Sequence, residues 1–434
     1  MLLLQLFLVL ACIVVGARLG GIGLGVMGGL GVALLVFVFG LEPTAPPIDV
    51  MLMIAAVISA ASCMQAAGGL DYMVGLAERM LRKHPQYVTI LAPLVTYTFT
   101  FLAGTGHVAY SVLPVIAEVA RETKIRPERP LGIAVIASQQ AITASPISAA
   151  TVALLGLLTM AGYDVTLFDI LKVSVPATLV GVLVGAFASL RVGKELVDDP
   201  EYQKRLAAGE TVASGNVVVV EDGGAAKLSV LLFIVATVAV VVFGSVESLR
   251  PAFDDVTVGM PLIIEMVMLT AAALILLFTR TAGNKAAQGS VFSAGMQAVV
   301  AIFGIAWMGD TFINGNVVEL KGAIESVVTD MPWLFGLALF VMSILLYSQA
   351  ATVRAIVPLG IALGLSPMML VALFPAVNGY FFIPNYPTLV AAINFDRTGT
   401  TRIGKWVLNH SFMMPGLVAT AVAIAVGLLL IQLY

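Results

Sequence analysis

Apolar residues run along the chain in long blocks rather than at the alternating period of a half-buried strand or the stripe of a one-faced helix. The blocks cover 1–17, 20–41, 50–68, 87–119, 131–160, 170–190, 228–246, 259–279, 290–309, 331–362, 368–395 and 406–434. A bilayer crossing takes about 20 mostly apolar residues, so most blocks read as one helix each. The first block has no basic residue ahead of it and Arg18 behind it, so it is expected to be a retained helix and not a cleaved leader. Blocks 87–119 and 331–362 are too long for one crossing and carry small polar residues at their centres. Each is predicted to be a re-entrant hairpin of two half-helices.

Charge supports that division. Suppose Arg18 and the loops 69–86, 120–130, 191–227, 280–289 and 396–405 face the cytoplasm. They then hold every Lys and Arg except Lys172, Arg250, Lys321 and Arg354. A single crossing of either long block would place neighbouring basic loops on opposite sides, against the positive-inside bias. The expected topology is ten spans and two hairpins, with both termini periplasmic. The polar stretch 191–227 separates a first unit, 1–190, from a second, 228–434, and its mixed charges read as a solvated cytoplasmic tether.

Composition narrows the class. Of 434 residues, 60% are hydrophobic and 11% charged, whereas a soluble domain is about a quarter charged. A soluble enzyme is thereby excluded. The net charge of -3 offers no basic face for nucleic acid. Cys12 and Cys63 sit inside apolar blocks and give neither a disulfide framework nor metal-ligand spacing. No cofactor is implied. The fold class is an all-α polytopic membrane protein.

Each unit holds five spans and one hairpin. Five is odd, so the second unit is expected to lie upside-down relative to the first. Such inverted repeats belong to secondary transporters, with the site at the midplane between interrupted helices. The hairpins read FLAGTGHVAYSVLPVIAEV (101–119) and LLYSQAATVRAIVPLGIAL (345–363), and Thr105 precedes Pro114 by the same spacing as Gln349 precedes Pro358. After each comes a segment broken by proline and small polar residues, ITASPISAAT (142–151) within 131–160 and FIPNYPTLVAA (382–392) within 368–395. Unpaired backbone amides in hydrocarbon cost several kcal/mol each, so such breaks survive beside protein or water. Their amide ends favour anions.

The candidate binding residues follow from these four breaks. Gly104, Thr105 and Gly106 form the first tip; Gln349 and Thr352 belong to the second, with Arg354 just beyond. A guanidinium in a membrane segment is costly unless paired, and its fork suits a carboxylate. Arg354 therefore reads either as a substrate ligand or as the partner of an acid such as Asp310 or Asp396. Thr143, Ser145 and Ser148 flank Pro146, while Asn385, Tyr386 and Thr388 flank Pro384 and Pro387; hydroxyls there either bind ligand or back-bond to the preceding turn. His107 is a candidate proton carrier. Asp310 is a candidate coupling group, with Glu265 behind it. Arg79, Arg82, Lys83 and His84 read as an orientation signal.

The breaks contain no Asp or Glu, which favours an anion over a cation as cargo. No HExxH and no Walker A sequence occurs, so neither metalloprotease chemistry nor ATP drive is indicated. A cation- or proton-coupled carrier of another small anion stays open as the alternative.

The strings GARLGGIGLGVMGGLGV (16–32), MQAAGGLDYMV (64–74), LAPLVTYTFTFLAGTGHVAYSVLPVIAEVA (91–120), RPLGIAVIASQQAITASPISAATV (129–152) and SQAATVRAIVPLG (348–360) resemble the Dcu family of anaerobic C4-dicarboxylate transporters, of the DcuA and DcuB type. The resemblance runs over nearly the whole chain. It implies exchange of fumarate, malate or aspartate for succinate across the bacterial inner membrane in anaerobic respiration. More distantly, the two tips resemble those of divalent-anion/sodium symporters of the ion transporter superfamily. That likeness implies an elevator in which a transport domain slides against a scaffold, and it carries the binding role onto Gly104–His107, Ser348–Thr352, Thr143–Ser148 and Pro384–Thr388. Neither tip is Ser-Asn-Thr, so the sodium sites of that group are not carried over. Scaffold helices are expected in 1–68, 170–190, 228–309 and 406–434. The oligomeric state is left open, a homodimer being one candidate.

Overall fold

The computed structural model describes residues 1–434 apart from 20–21, 210–222, 254–255, 317–318, 320–330, 332, 347, 385, 405–407 and 434. Helices dominate. In chain order they are α1 (Leu2–Leu19), α2 (Gly23–Phe37), α3 (Ile48–Ala66), α4 (Gly69–Lys83), α5 (Val88–Ala103), α6 (Ala109–Glu122), α7 (Glu128–Ile142), α8 (Ala149–Met160), α9 (Leu167–Ser189) and α10 (Pro200–Ala207). The second half holds α11 (Gly224–Ser245), α12 (Met260–Thr279), α13 (Gly283–Ala287), α14 (Ser290–Gly315), α15 (Trp333–Leu346), α16 (Gln349–Ala362), α17 (Pro367–Leu373), α18 (Pro387–Phe395) and α19 (Met413–Leu430). A 3-10 segment, Phe374–Phe381, continues α17, and a short antiparallel ribbon pairs Ala252–Phe253 with Val256–Thr257.

Among the described residues, six helices are long and apolar enough to cross a membrane: Pro85–Ala103, Leu167–Ser189, Gly224–Gly244, Met260–Thr279, Ser290–Gly315 and Met413–Leu430. Shorter apolar helices, such as Gly23–Phe37, Ala149–Met160 and Gln349–Ala362, accompany them. Large apolar side chains remain exposed along α11 and α12, including Leu231, Val235, Val238, Leu262, Met266 and Leu269. Such helices suit a lipid environment.

Two expectations about loops need correction. Residues 69–83 are helical, and α4 leaves α3 at a bend of 69°. Gly68, with φ of +83°, makes that corner. The helix hides Met73, Ala77 and Leu81 and turns its charges outward, a one-sided pattern that a span-by-span hydropathy reading passes over. The 191–227 stretch is also not wholly a tether. Asp199 caps α10 by accepting from the backbone N–H groups of Glu201 (2.9 Å) and Tyr202 (3.2 Å). Arg126, with 5% of its side chain exposed, then ties that cap to the start of α7 through Asp199 and Glu128, each at 2.5 Å. Arg129 donates to Val192 O at 2.8 Å and to Glu195 at 3.0 Å.

The helices pack as two groups. One comprises α1, α2, α3, α11, α12 and α14; the other comprises α5 to α9, α15 to α19 and the 3-10 segment. Small residues make the close approaches. A methyl at Gly25 or Gly28 of α2 would run into the α14 backbone at Val300 and Gly304, and one at Gly181 of α9 would run into Ala419 of α19. Lipid tails give no apolar drive for association, so helices join where small residues let backbones touch. This places α9 and α19, expected in the scaffold, with the interrupted helices instead: they pack on each other, on α7 and on the 3-10 segment. The groups meet where α14 lies on α16 and α3 on α8.

Candidate functional site

The two long blocks are each interrupted, the first at 104–108 and the second at Ser348. In the first, Thr100 O accepts from Gly104 N (2.9 Å), and Gly104 sits at φ of +69°. Only glycine takes that conformation without strain. A Cβ there would lie 3.0 Å from Ile147 in the break after α7. The first arm, expected as a half-helix, is 19 residues long from Pro85 and has the length of a full crossing. In the second block, Ser348 caps α16 by accepting from Ala351 N at 3.2 Å.

The breaks converge on a set of buried amides. Gln349 Nε2 donates to Gln139 Oε1 at 2.8 Å and to Asn378 Oδ1 at 3.2 Å. Asn378 Nδ2 donates to Gln140 Oε1 (3.2 Å), Thr143 Oγ1 (3.4 Å) and Pro375 O (3.1 Å). Gln140 Nε2 donates to Thr420 Oγ1 at 2.9 Å. A Cβ on Gly106 would stand 2.5 Å from Gln139 Nε2, so the missing side chain lets the first tip close over that amide. Both tips, the first broken helix and the 3-10 segment thus meet at Gln139, Gln349 and Asn378. A buried amide left without a partner costs about 1–3 kcal/mol, which is what holds these four elements in register.

Several expected ligands have their protons committed to backbone. Ser145 donates to Phe101 O (2.7 Å), Thr352 to Ser348 O (2.8 Å) and Thr143 to Gln140 O (2.8 Å). Ser148 donates to Ile142 O (2.5 Å) and caps α8 at Thr151 N (3.1 Å). Thr105 lines a cleft of about 100 Å³ with Gly104 and Ile147 on one side and Ile54, Ile58 and Val291 on the other. The Tyr386 ring lies 4.8 Å from that of Tyr380. Asn385 and the side chain of His107 lie outside the described residues.

Three groups carry unused donors. Arg354 is 1% exposed, and its Nε and Nη2 have no hydrogen-bond partner among the described residues. Thr388 Oγ1 and Tyr380 Oη, both buried, are in the same condition. Asp396 is not the partner of Arg354: its carboxylate accepts from Thr398 N (2.8 Å), Thr400 Oγ1 (2.8 Å) and Thr401 N (2.6 Å). Asp310, half-buried on α14, makes no hydrogen bond to Nε or Nη2. Glu265 lies on α12, away from the breaks. Among the described residues no cluster of His, Cys, Asp or Glu could hold a metal.

A helical bundle with interrupted segments at its centre and a buried arginine between them and α14 matches known proteins over its full length. Residues 1–434 fit the DcuA/DcuB family, described as anaerobic C4-dicarboxylate membrane transporters. The chain belongs to that family. The C4-dicarboxylate transporter DcuA of Wolinella succinogenes is 46% identical over 428 residues, 98% of either chain. DcuA of Escherichia coli K12 is 45% identical over 436 residues, 99% of either chain. The anaerobic C4-dicarboxylate transporter DcuB of Escherichia coli O157:H7 is 43% identical over 439 residues, 99% of this chain and 98% of that one. The YdaH transporter of Alcanivorax borkumensis shares the fold at a TM-score of 0.63 and 16% identity, over 100% of this chain and 98% of that chain. A DcuA/DcuB family chain is a multi-pass membrane transporter, not an enzyme.

Gln139, Gln140, Asn378 and Tyr380 were not singled out from sequence. The signal was present for three of them: a Ser-Gln-Gln run inside an apolar helix and an Asn inside FPAVNGYFF. Polar side chains at such positions in a DcuA/DcuB family helix need partners.

Proposed function

We propose that this chain exchanges C4-dicarboxylates, taking up fumarate, malate or aspartate for succinate, across the bacterial inner membrane. The observation that carries the reading is Arg354, buried with two donors that have no hydrogen-bond partner among the described residues. A buried guanidinium in that condition is stable when a carboxylate arrives to complete it. Arg354 takes one carboxylate of the substrate. The hydroxyls of Thr388 and Tyr380 and the tip backbone at Gly106 supply further donors, and the Gln139–Gln349–Asn378 network holds both tips in place.

The chain works as two inverted repeats, 1–190 and 228–434, joined by the cytoplasmic segment 191–227, with both termini periplasmic. The group of α5 to α9 and α15 to α19 is the moving body of an elevator, and α1, α2, α3, α11, α12 and α14 are its scaffold. Bound dianion satisfies Arg354, so the loaded site crosses and the empty one does not; the result is exchange. The test is counterflow in proteoliposomes preloaded with succinate, offered each labelled C4 acid with and without a sodium or pH gradient. Accumulation of a C4 acid that is abolished without internal succinate supports the reading; equal uptake into empty vesicles overturns it.

A further inference from the structure

Asp310 is a charged group inside an apolar helix that the binding reading leaves unused. It sits beside Gly309, where a Cβ would lie 3.8 Å from Ala355 Cα. Ala355 is the neighbour of Arg354, so the carboxylate and the guanidinium occupy adjoining turns where α14 packs on α16. Their opposite charges act on each other across that contact. The two helices belong to different groups, α14 packing with α2 and α3 and α16 with α8.

The α14 turn bearing Asp310 is pinned. Trp307 Nε1 donates to Thr44 O at 2.6 Å, and Thr44 N donates to Thr311 Oγ1 at 3.3 Å, with the two hydroxyls 3.2 Å apart. Asp310 therefore cannot follow Arg354 if α16 slides. Moving Arg354 away empty would leave a buried cation without a counter-charge, which the membrane interior penalises heavily.

We propose that Asp310 is the counter-charge that fastens the empty carrier, holding Arg354 against α14 until a dicarboxylate replaces it. This rests on Arg354 being the substrate ligand. The dianion brings two negative charges against one guanidinium, so its remaining carboxylate faces Asp310 with like charge. Attraction across the contact between the groups becomes repulsion on loading. Asp310 is thus a positioning residue that makes exchange obligatory without touching substrate.

The test uses full-length protein in liposomes preloaded with labelled succinate. Wild type is expected to release label when external succinate is present and to retain it otherwise. Asp310→Asn is expected to release label without external substrate at least tenfold faster than wild type, with exchange within about threefold. Asp310→Glu, which keeps the charge, is expected to restore dependence on external substrate. Efflux from Asp310→Asn that needs external succinate as strictly as wild type overturns the proposal, as does loss of both modes. Should wild type exchange no C4 acid, the transport reading fails separately. The pair is then tested by disulfide trapping between Gly309→Cys and Ala355→Cys with Cys12 and Cys63 replaced; trapping that Asp310→Asn leaves unchanged overturns it.

Discussion

Replacing Arg354 by methionine separates a binding arginine from a structural one. The native guanidinium is 1% exposed, and Nε and Nη2 have no hydrogen-bond partner among the described residues. Two charge-assisted bonds to a carboxylate contribute about 1.5–3 kcal/mol each, so losing both costs about 3–6 kcal/mol of binding. At 1.4 kcal/mol per decade that is on the order of 10²–10⁴ in affinity. Folding responds in the other direction. Methionine has similar length and no charge, and removing a central arginine from a membrane helix relieves about 2.5–3.5 kcal/mol of insertion cost. Arg354→Met, made together with Asp310→Asn so that no carboxylate is left without its counter-charge, is therefore expected to bind succinate at least a hundredfold more weakly while melting at or above the wild-type temperature. Calorimetric titration and a thermal shift in the same detergent read both quantities. Affinity within threefold of wild type, or melting several degrees lower, would refute the argument.

The remaining predictions concern the frame around the site. Asn378→Leu leaves Gln349 and Gln140 each short of a partner, and is expected to destabilise the fold by about 2–4 kcal/mol, seen as a lower melting temperature. Gly104→Ala forces a side chain into left-handed backbone beside Ile147, at a cost of about 1–2 kcal/mol; Gly104→Asn is expected to melt closer to wild type. At the linker, burial alone would raise the Asp199 carboxyl, but Arg126 and the N–H groups of Tyr202 and Glu201 outweigh it and hold its pKa below the ordinary value. A depressed folded pKa means that the clamp is complete above the ordinary carboxylate range and is lost as pH falls through the lowered value. Proteolysis at 191–209 is expected to quicken in acid for wild type, and at neutral pH for Asp199→Asn.

Hydropathy and the Pro–Gly breaks were legible because each depends on local composition. Apolar blocks report transfer from water, and Gly104 with Pro146, Pro384 and Pro387 report where a helix stops. The family strings added the class of cargo. The same local reading missed α4, whose charged and apolar faces average to a loop-like hydropathy, and it read the Arg126-anchored part of 191–227 as a free tether.

Partnership is what sequence left undetermined. Gln139 and Gln349 stand 210 positions apart and meet through one hydrogen bond; nothing in either neighbourhood specifies the other. Ser145, Ser148 and Thr352 look like ligands beside a break, yet Ser145 and Ser148 turn their protons to carbonyls in the last turns of α5 and α7, and Thr352 back-bonds to Ser348 O one turn behind it. Arg354 reads the same on paper whether paired or not. Its open donors depend on Asp396 being saturated by its own threonines and on Asp310, on a helix of the other group, making no hydrogen bond to Nε or Nη2. Apolar content places a helix in the bilayer, but small-residue contacts choose its neighbours, and those neighbours decide which polar groups are left for substrate.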